Sequence, residues 1–237
     1  IDFLSTAFDI DSLAFLNNMD LAYYKIPSGE ITNAPLIWQY GQLSKPLILS
    51  TGMSTLAEVE TALMVLAHSF LNEQPPESSA ELKDAYLNDT ARALLEQRVT
   101  LLHCTSQYPT PMLYVNLNAM QSMKAAFNLP VGYSDHTEGS EVAIAATALG
   151  ATVIEKHFTL DRELPGPDHK ASIEPDELVN FVKVIRNIDN AMGTGIKSPQ
   201  PCEMDTLSIA RQSLVASRSI QLGQKFTLDK IDTLRVG

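Results

Sequence analysis

"VGYSDHTEGSEVAIAATALGATVIEKHFT", residues 131–159, decides how the rest of the chain is read. Two apolar runs suited to buried strands, 129–135 and 151–159, flank a helical pattern over 138–149. Each run carries a histidine at its end, His136 or His157. A helix between two strands that are apolar on both faces is the pattern of parallel strands joined by a crossover. In such a unit both strand ends reach the same edge of the sheet, so the two imidazoles arrive together. Side chains alternate along a strand. That rule sets Val153, Glu155 and His157 on one face, Ile154, Lys156 and Phe158 on the other, and groups Ser134 with His136.

The same rhythm extends outward. Strand candidates lie at 1–8, 22–28, 46–52 and 99–106, and helical patterns at 10–19, 33–43, 55–71, 116–127 and 175–192, with Asp11, Asn33, Ser54 and Asn116 as candidate N-caps. Thr6, Lys25, Ser28, Ser50, Thr51, Thr105, Tyr108 and Ser134 join the histidines at the C-terminal ends of these strands. That placement fits an α/β fold, either the mouth of a (β/α)8 TIM barrel or, nearly as well, a doubly wound sheet. The count is about six βα units, short of the eight that close a barrel. Residues 1–198 are therefore expected to form a partial barrel. The polar, acidic stretch 72–98 reads as a solvated, non-catalytic insertion with an amphipathic helix in its second half. Residues 199–237 read as a linker helix and a β-like segment opening a second domain.

Composition narrows the function. A net charge of -11, dispersed along the chain, speaks against nucleic-acid or anionic-membrane partners. Cys104 and Cys202 make no disulfide framework and fit a reducing cytoplasm. No apolar run approaches the roughly 20 residues that span a bilayer.

Single motifs leave alternatives open. Two histidines from neighbouring strands suit a catalytic divalent metal with positions left for water or substrate, or are simply satisfied polar residues at strand ends. Lys25 in "YYKIPSGE" is a Schiff-base or anion-binding lysine, or a snorkelling surface one. "LSTGMST" offers backbone N–H groups to an anion, or an ordinary N-cap. Tyr108 and Thr110 in "HCTSQYPTP" line a site or stiffen a turn, while His103 and Cys104 read as core residues. "DRELPGPDHKAS" carries Asp168 and His169 on a rigid loop after the last strand, over the barrel mouth or merely on the surface.

Taken in order, "STAFD", "YYKIPSGE", "LILSTGM", "LLHCTSQYPTP", "GYSDHT", "IEKHFTLDRELPGPDH" and "SLVAS" closely resemble the sialic acid synthase family, which includes N-acetylneuraminate, legionaminate and pseudaminate synthases. The resemblance implies a cytoplasmic homodimer built from (β/α)8 barrels, each followed by an antifreeze-like domain. It implies condensation of phosphoenolpyruvate with a 2-acetamido sugar, either N-acetylmannosamine or a 6-deoxy diacetamido hexose, giving a nine-carbon ulosonic acid and phosphate. By the same resemblance His136 and His157 are ligands of Mn2+ or Mg2+. Thr6, Lys25, Ser28, Ser50 and Ser134 match the phosphoenolpyruvate-binding set, and Tyr108 and Asp168 the sugar side. Lys25, His136 and His157 are the expected catalytic residues.

The chain departs from the family pattern at Ser106, where many members carry Asn, and in the length of 72–98. Set against the family pattern, the chain is expected to lack the first two βα units, with a glutamate and a lysine, and the antifreeze-like domain's arginine. Two other readings stay in view. A condensing barrel for phosphorylated aldehydes would want more cations at its mouth. A non-catalytic remnant would bind a sugar or a partner chain.

Overall fold

The computed structural model describes residues 1–235. The chain divides into two compact units, the second beginning at Gly193.

In the first unit five parallel strands, β1 (Tyr24–Ile26), β2 (Leu47–Ser50), β3 (Val99–His103), β4 (Val131–Asp135) and β5 (Ile154–Lys156), pair in chain order. Helices α2 (Ala34–Gln42), α3 (Leu56–Leu71), α6 (Asn118–Phe127) and α7 (Glu141–Ala148) make the crossovers, α1 (Ile10–Asn17) precedes β1 and α8 (Pro175–Met192) follows β5. The register sorts side chains onto two faces. Tyr24, Leu47 and Val99 are aligned across neighbouring strands, as are Ile26, Leu49, Leu101 and Val131. All of these are buried under the helices and form the centre of the core. Lys25 aligns with Ile48, Ser50 with Leu102, Leu102 with Gly132, and Ser134 with Glu155, so Lys25, Ser50, Ser134 and Glu155 share the opposite face.

That face is concave. Lys25 on the first strand and Glu155 on the fifth form an ion pair at 3.1 Å. A flat sheet would hold strands four positions apart at about 19 Å. The five strands thus curl into a half-barrel, with the polar ends of the strands on the inside.

The structure corrects several sequence expectations. Residues 1–8 do not form a strand. Thr6 alone bridges to Lys25, and the segment is held by Tyr40 of α2, whose hydroxyl donates to the Ala7 carbonyl at 2.9 Å and accepts from the Ala7 amide at 3.1 Å. The sheet therefore has five strands, with an isolated bridge at each end, Thr6 to Lys25 and Phe158 to Ile173, in place of about six full units. Asp9, not Asp11, caps α1, its carboxylate accepting from the Ser12 amide at 2.7 Å. Thr55, not Ser54, caps α3 in a reciprocal box with Glu58. Asn116 gives way to Leu117, which supplies no side-chain cap to α6. Asn33 caps α2 as expected.

The 72–98 stretch contains two helices, α4 (Ser79–Leu87) and α5 (Asp89–Arg98), and is less solvated than its composition suggests. Ala85, Ala91 and Leu95 join the core against α3. Arg98 clips it down, with its guanidinium 4.1 Å from the Phe70 ring centre and donating to the Lys45 carbonyl at 3.1 Å.

The second unit contains α9 (Met204–Ala210) and an antiparallel pair, β6 (Ser213–Ala216) with β7 (Ile231–Leu234). None of its described residues is buried.

Candidate active site

Three strands bring a charged cluster to the concave face. Lys25 Nζ lies 3.1 Å from Glu155, and Ser134 Oγ donates to the same carboxylate at 2.6 Å. Burial alone would push the Glu155 carboxyl up, but the Lys25 ammonium and the Ser134 hydroxyl outweigh it and hold the group below its ordinary value, ionised. Glu155 was not among the sequence candidates for the site. Strand alternation had placed it on the His157 face, but its partner lies 130 residues away, and only the curl of the sheet joins them.

His136 stands one residue beyond β4. Its Nδ1 lies 2.7 Å from the Thr105 carbonyl, which can only accept, so Nδ1 carries the proton and Nε2 the lone pair. Nε2 is 3.2 Å from Ser134 Oγ, whose single proton is directed to Glu155, leaving that lone pair available. Burial, together with the neighbouring His157, lowers the His136 pKa and keeps the ring neutral, although the Thr105 carbonyl works the other way. His157 stands one residue beyond β5, and the two ring centres are 5.4 Å apart. The Tyr108 ring packs against both, 4.1 Å from His136 and 5.0 Å from His157.

Thr110 explains how Tyr108 comes to be there. Its amide donates to the His136 carbonyl at 2.8 Å and its hydroxyl to the Gln107 carbonyl at 2.7 Å, pinning the loop to the strand end. Of the two readings of Thr110, the stiffened turn is the one found. Burial and the nearby Cys104, Asp168 and Glu155 push the Tyr108 phenol up.

The other candidates fall around this cluster. Ser28 follows β1 and its Oγ accepts from the Gly52 amide at 3.0 Å and lies 3.3 Å from Cys104 Sγ. A Cβ on Gly52 would sit 2.4 Å from Ser106 Oγ and 2.9 Å from both Cys104 Sγ and Ser28 Oγ, so glycine is what lets these three heteroatoms close around the turn. Burial pushes the Cys104 thiol up, which keeps it protonated and unsuited to nucleophilic attack. Ser50 is 3% exposed and its hydroxyl has no hydrogen-bond partner. Thr6 reaches the same face through its bridge to Lys25.

Thr51 turns away to the Leu102 carbonyl at 2.9 Å, and His103 bonds the Val115 carbonyl at 2.9 Å, a structural role as expected. Asp168 is exposed on the loop after β5. His169 beside it is occupied in holding that loop, its Nδ1 2.7 Å from Thr159 Oγ1.

The donor set fits a divalent cation as a two-histidine site. One neutral imidazole keeps a lone pair on Nε2, and its ring centre lies 5.4 Å from that of the second. Among the described residues no group of three or more His, Cys, Asp or Glu is assembled, so the remaining positions would fall to water or substrate oxygens.

The chain is 48% identical over 235 residues to the N,N'-diacetyllegionaminic acid synthase of Campylobacter jejuni, covering 99% of this chain and 64% of that protein. It is 41% identical over 237 residues to the enzyme of the same name from Legionella pneumophila, covering 100% of this chain and 61% of the other. The crystal structure of an N-acetylneuraminic acid synthetase from Leptospira borgpetersenii superposes with a TM-score of 0.70 at 33% identity, covering 87% of this chain and 64% of that one. The chain therefore spans a little under two thirds of the length of the relatives it matches. The NeuB family model matches residues 1–197, which contain every residue of the cluster. On these matches, and in agreement with its motifs, the chain belongs to the NeuB family.

Proposed function

We propose that this protein is a synthase that condenses phosphoenolpyruvate with a 2-acetamido sugar to give a nine-carbon ulosonic acid and phosphate. The favoured sugar is a 6-deoxy diacetamido hexose, because the relatives at 48% and 41% identity are named N,N'-diacetyllegionaminic acid synthases. N-acetylmannosamine is the alternative. The observation that carries the reading is the concave cluster. The Lys25 cation and the unpartnered hydroxyl of Ser50, with Ser28, Ser134 and Thr6 around them, supply the mixed charge and hydrogen bonding that a phosphate and a carboxylate require.

In the reaction C3 of phosphoenolpyruvate bonds to the aldehyde carbon of the sugar, whose oxygen takes a proton. Water adds at C2, and the C2–O bond to phosphate breaks. Lys25 would hold the anionic substrate and bring its own Glu155 contact close to the reacting carbons. Ser134 would orient both Glu155 and the His136 side of the site. Tyr108, packed on both imidazoles, would form the apolar wall against which the sugar lies, with Asp168 accepting from its hydroxyls. His136 and His157 would hold Mn2+ or Mg2+, which as a Lewis acid would polarise the aldehyde.

The half-barrel would be an arc of a (β/α)8 barrel, and the unit after Gly193 the approach to an antifreeze-like domain. The protein would act in the cytoplasm as a homodimer. No helix among the described residues is long and apolar enough to cross a membrane. The exposed Met112, Leu113 and Tyr114 beside the site are the kind of apolar surface that an interface covers.

The test is phosphate release from phosphoenolpyruvate with Mn2+ and a panel of 2-acetamido hexoses, with His136→Ala in parallel. Release with one sugar, abolished in the variant, is the expected result. No release with any sugar from folded protein would overturn the synthase reading and leave a sugar- or partner-binding role.

A further inference from the structure

The two histidines share a feature that neither strand nor loop explains. The β4–β5 ladder ends at the pair Asp135 and Lys156, so His136 and His157 each lie one residue past the last aligned position. Backbone pairing between the strands therefore stops just short of the residues whose spacing matters most. What continues past that point is a side-chain clamp on the convex face. Lys156 Nζ lies 2.9 Å from Asp135 Oδ2 and also donates to the Thr137 carbonyl. Asp135 Oδ1 accepts from the Thr137 amide at 2.9 Å and from its hydroxyl at 2.7 Å. The side chains of Lys156 and Asp135 are 4% and 0% exposed, and Thr137 is wholly buried. The residues on both sides of His136 are thus tied to the residue immediately before His157.

We propose that Asp135, Lys156 and Thr137 are positioning residues that set the distance between His136 and His157 from behind the sheet, and so tune the affinity of the pair for a divalent cation. Neither charged group faces the concave side, since strand alternation turns both away from it. They act through the backbone. Lys156 extends the last ladder pair to the Thr137 carbonyl beyond it, and Thr137 fixes the turn by which the chain leaves β4. Loss of the clamp frees the two imidazoles to separate while the strands below stay paired. Residues that orient metal ligands without touching the metal commonly alter its affinity by about 10- to 100-fold.

The inference rests on the two-histidine metal reading, and the experiment separates the two. Mn2+ binding is measured through the electron paramagnetic resonance signal of the free aquo ion, on the full chain without substrates. The paired variant Asp135→Asn with Lys156→Met leaves no unpaired buried charge and keeps an acceptor for Thr137. It is compared with wild type, with His136→Ala and with Leu63→Ala, a core truncation in α3 remote from the clamp. The expected result is a Kd raised about tenfold in the paired variant, unchanged in Leu63→Ala and lost in His136→Ala. Thr137→Val, which removes one hydrogen bond and no charge, should shift the Kd in the same direction by less. A wild-type Kd in the paired variant overturns the proposal, as does a wild-type Kd in Thr137→Val if the paired variant does not fold. Wild type that binds Mn2+ no better than His136→Ala overturns the metal reading itself, and the positioning role with it.

Discussion

Strand β5 contributes to two lysine–carboxylate pairs, one on each face of the sheet, Lys156 with Asp135 of β4 and Glu155 with Lys25 of β1, and the pairs are built differently. Behind the sheet, Lys156 and Asp135 are 4% and 0% exposed and are closed off by Thr137. In front, Lys25 and Glu155 are 10% and 39% exposed, and the carboxylate is shared with Ser134. A buried pair whose hydrogen bonds are all internal can do little except hold geometry. A half-open pair bordered by the unpartnered Ser50 hydroxyl can exchange its partners for a ligand's oxygens. Chemistry and architecture are thus separated by the thickness of one sheet, and substitutions on the two faces should fail in different ways.

The largest expected effect is on stability, from the rear. Lys156→Met alone strands the Asp135 carboxylate in the core, and should lower the unfolding free energy by about 3–5 kcal/mol, read from urea denaturation. Lys25→Met should cost less than half as much, because Glu155 keeps solvent access and the Ser134 hydroxyl. If the two variants destabilise equally, the contrast between the faces is wrong. In activity the order reverses. Lys25→Met should slow phosphate release by about 100- to 1,000-fold, the range for losing one preorganised charged contact (roughly 2.7–4 kcal/mol). A loss below tenfold would remove Lys25 from the site.

Gly52→Ala probes the turn after β2, against which Ser28 is held. The added methyl would meet Ser106, Cys104 and Ser28 at 2.4–2.9 Å, atoms on the segment after β3 and the segment after β1 that close on the turn from two sides. Overpacking of this kind typically costs about 1–3 kcal/mol. Here the loss should appear together with a raised KM for phosphoenolpyruvate, because Ser28 is displaced. A variant with native stability and native KM would show that the turn is loose.

Much of this was legible in the chain. Alternation within "ATVIEKHFT" correctly sent Glu155 and His157 one way and Lys156 the other, and apolar runs bounded by turn residues located the five strands. What stayed hidden depends on distance in space. The run at 1–8 has a strand's composition, but only Thr6 finds a partner, and no local pattern reveals whether a ladder neighbour is there to accept it. Lys25 and Glu155 meet only because the sheet curls. Lys156 and Asp135 meet only because the register aligns them, and that register is set by pairings along the entire length of both strands. The inner helix of the insertion was missed for a local reason. In "SAELKDAYL" the apolar stripe is short, Ala85 buried with Leu82 and Tyr86 half-buried against the core, and the helix is started by the Ser78 cap.

Ser50→Ala gives the smallest effect and separates the two demands most cleanly. Its hydroxyl is 3% exposed and makes no hydrogen bond, which leaves a desolvated polar group uncompensated. Removing such a group relieves a desolvation penalty of about 1–3 kcal/mol while losing little packing, so the alanine variant should unfold at a higher urea concentration than wild type. The same change should raise the KM for phosphoenolpyruvate by about fivefold, equivalent to roughly 1 kcal/mol of lost binding. Opposite signs in the two measurements would mark Ser50 as a residue kept for a ligand at the expense of the fold. A variant that is both less stable and unchanged in KM would mean that the hydroxyl serves the core, and that the anion is held from Lys25, Ser28 and Ser134 alone.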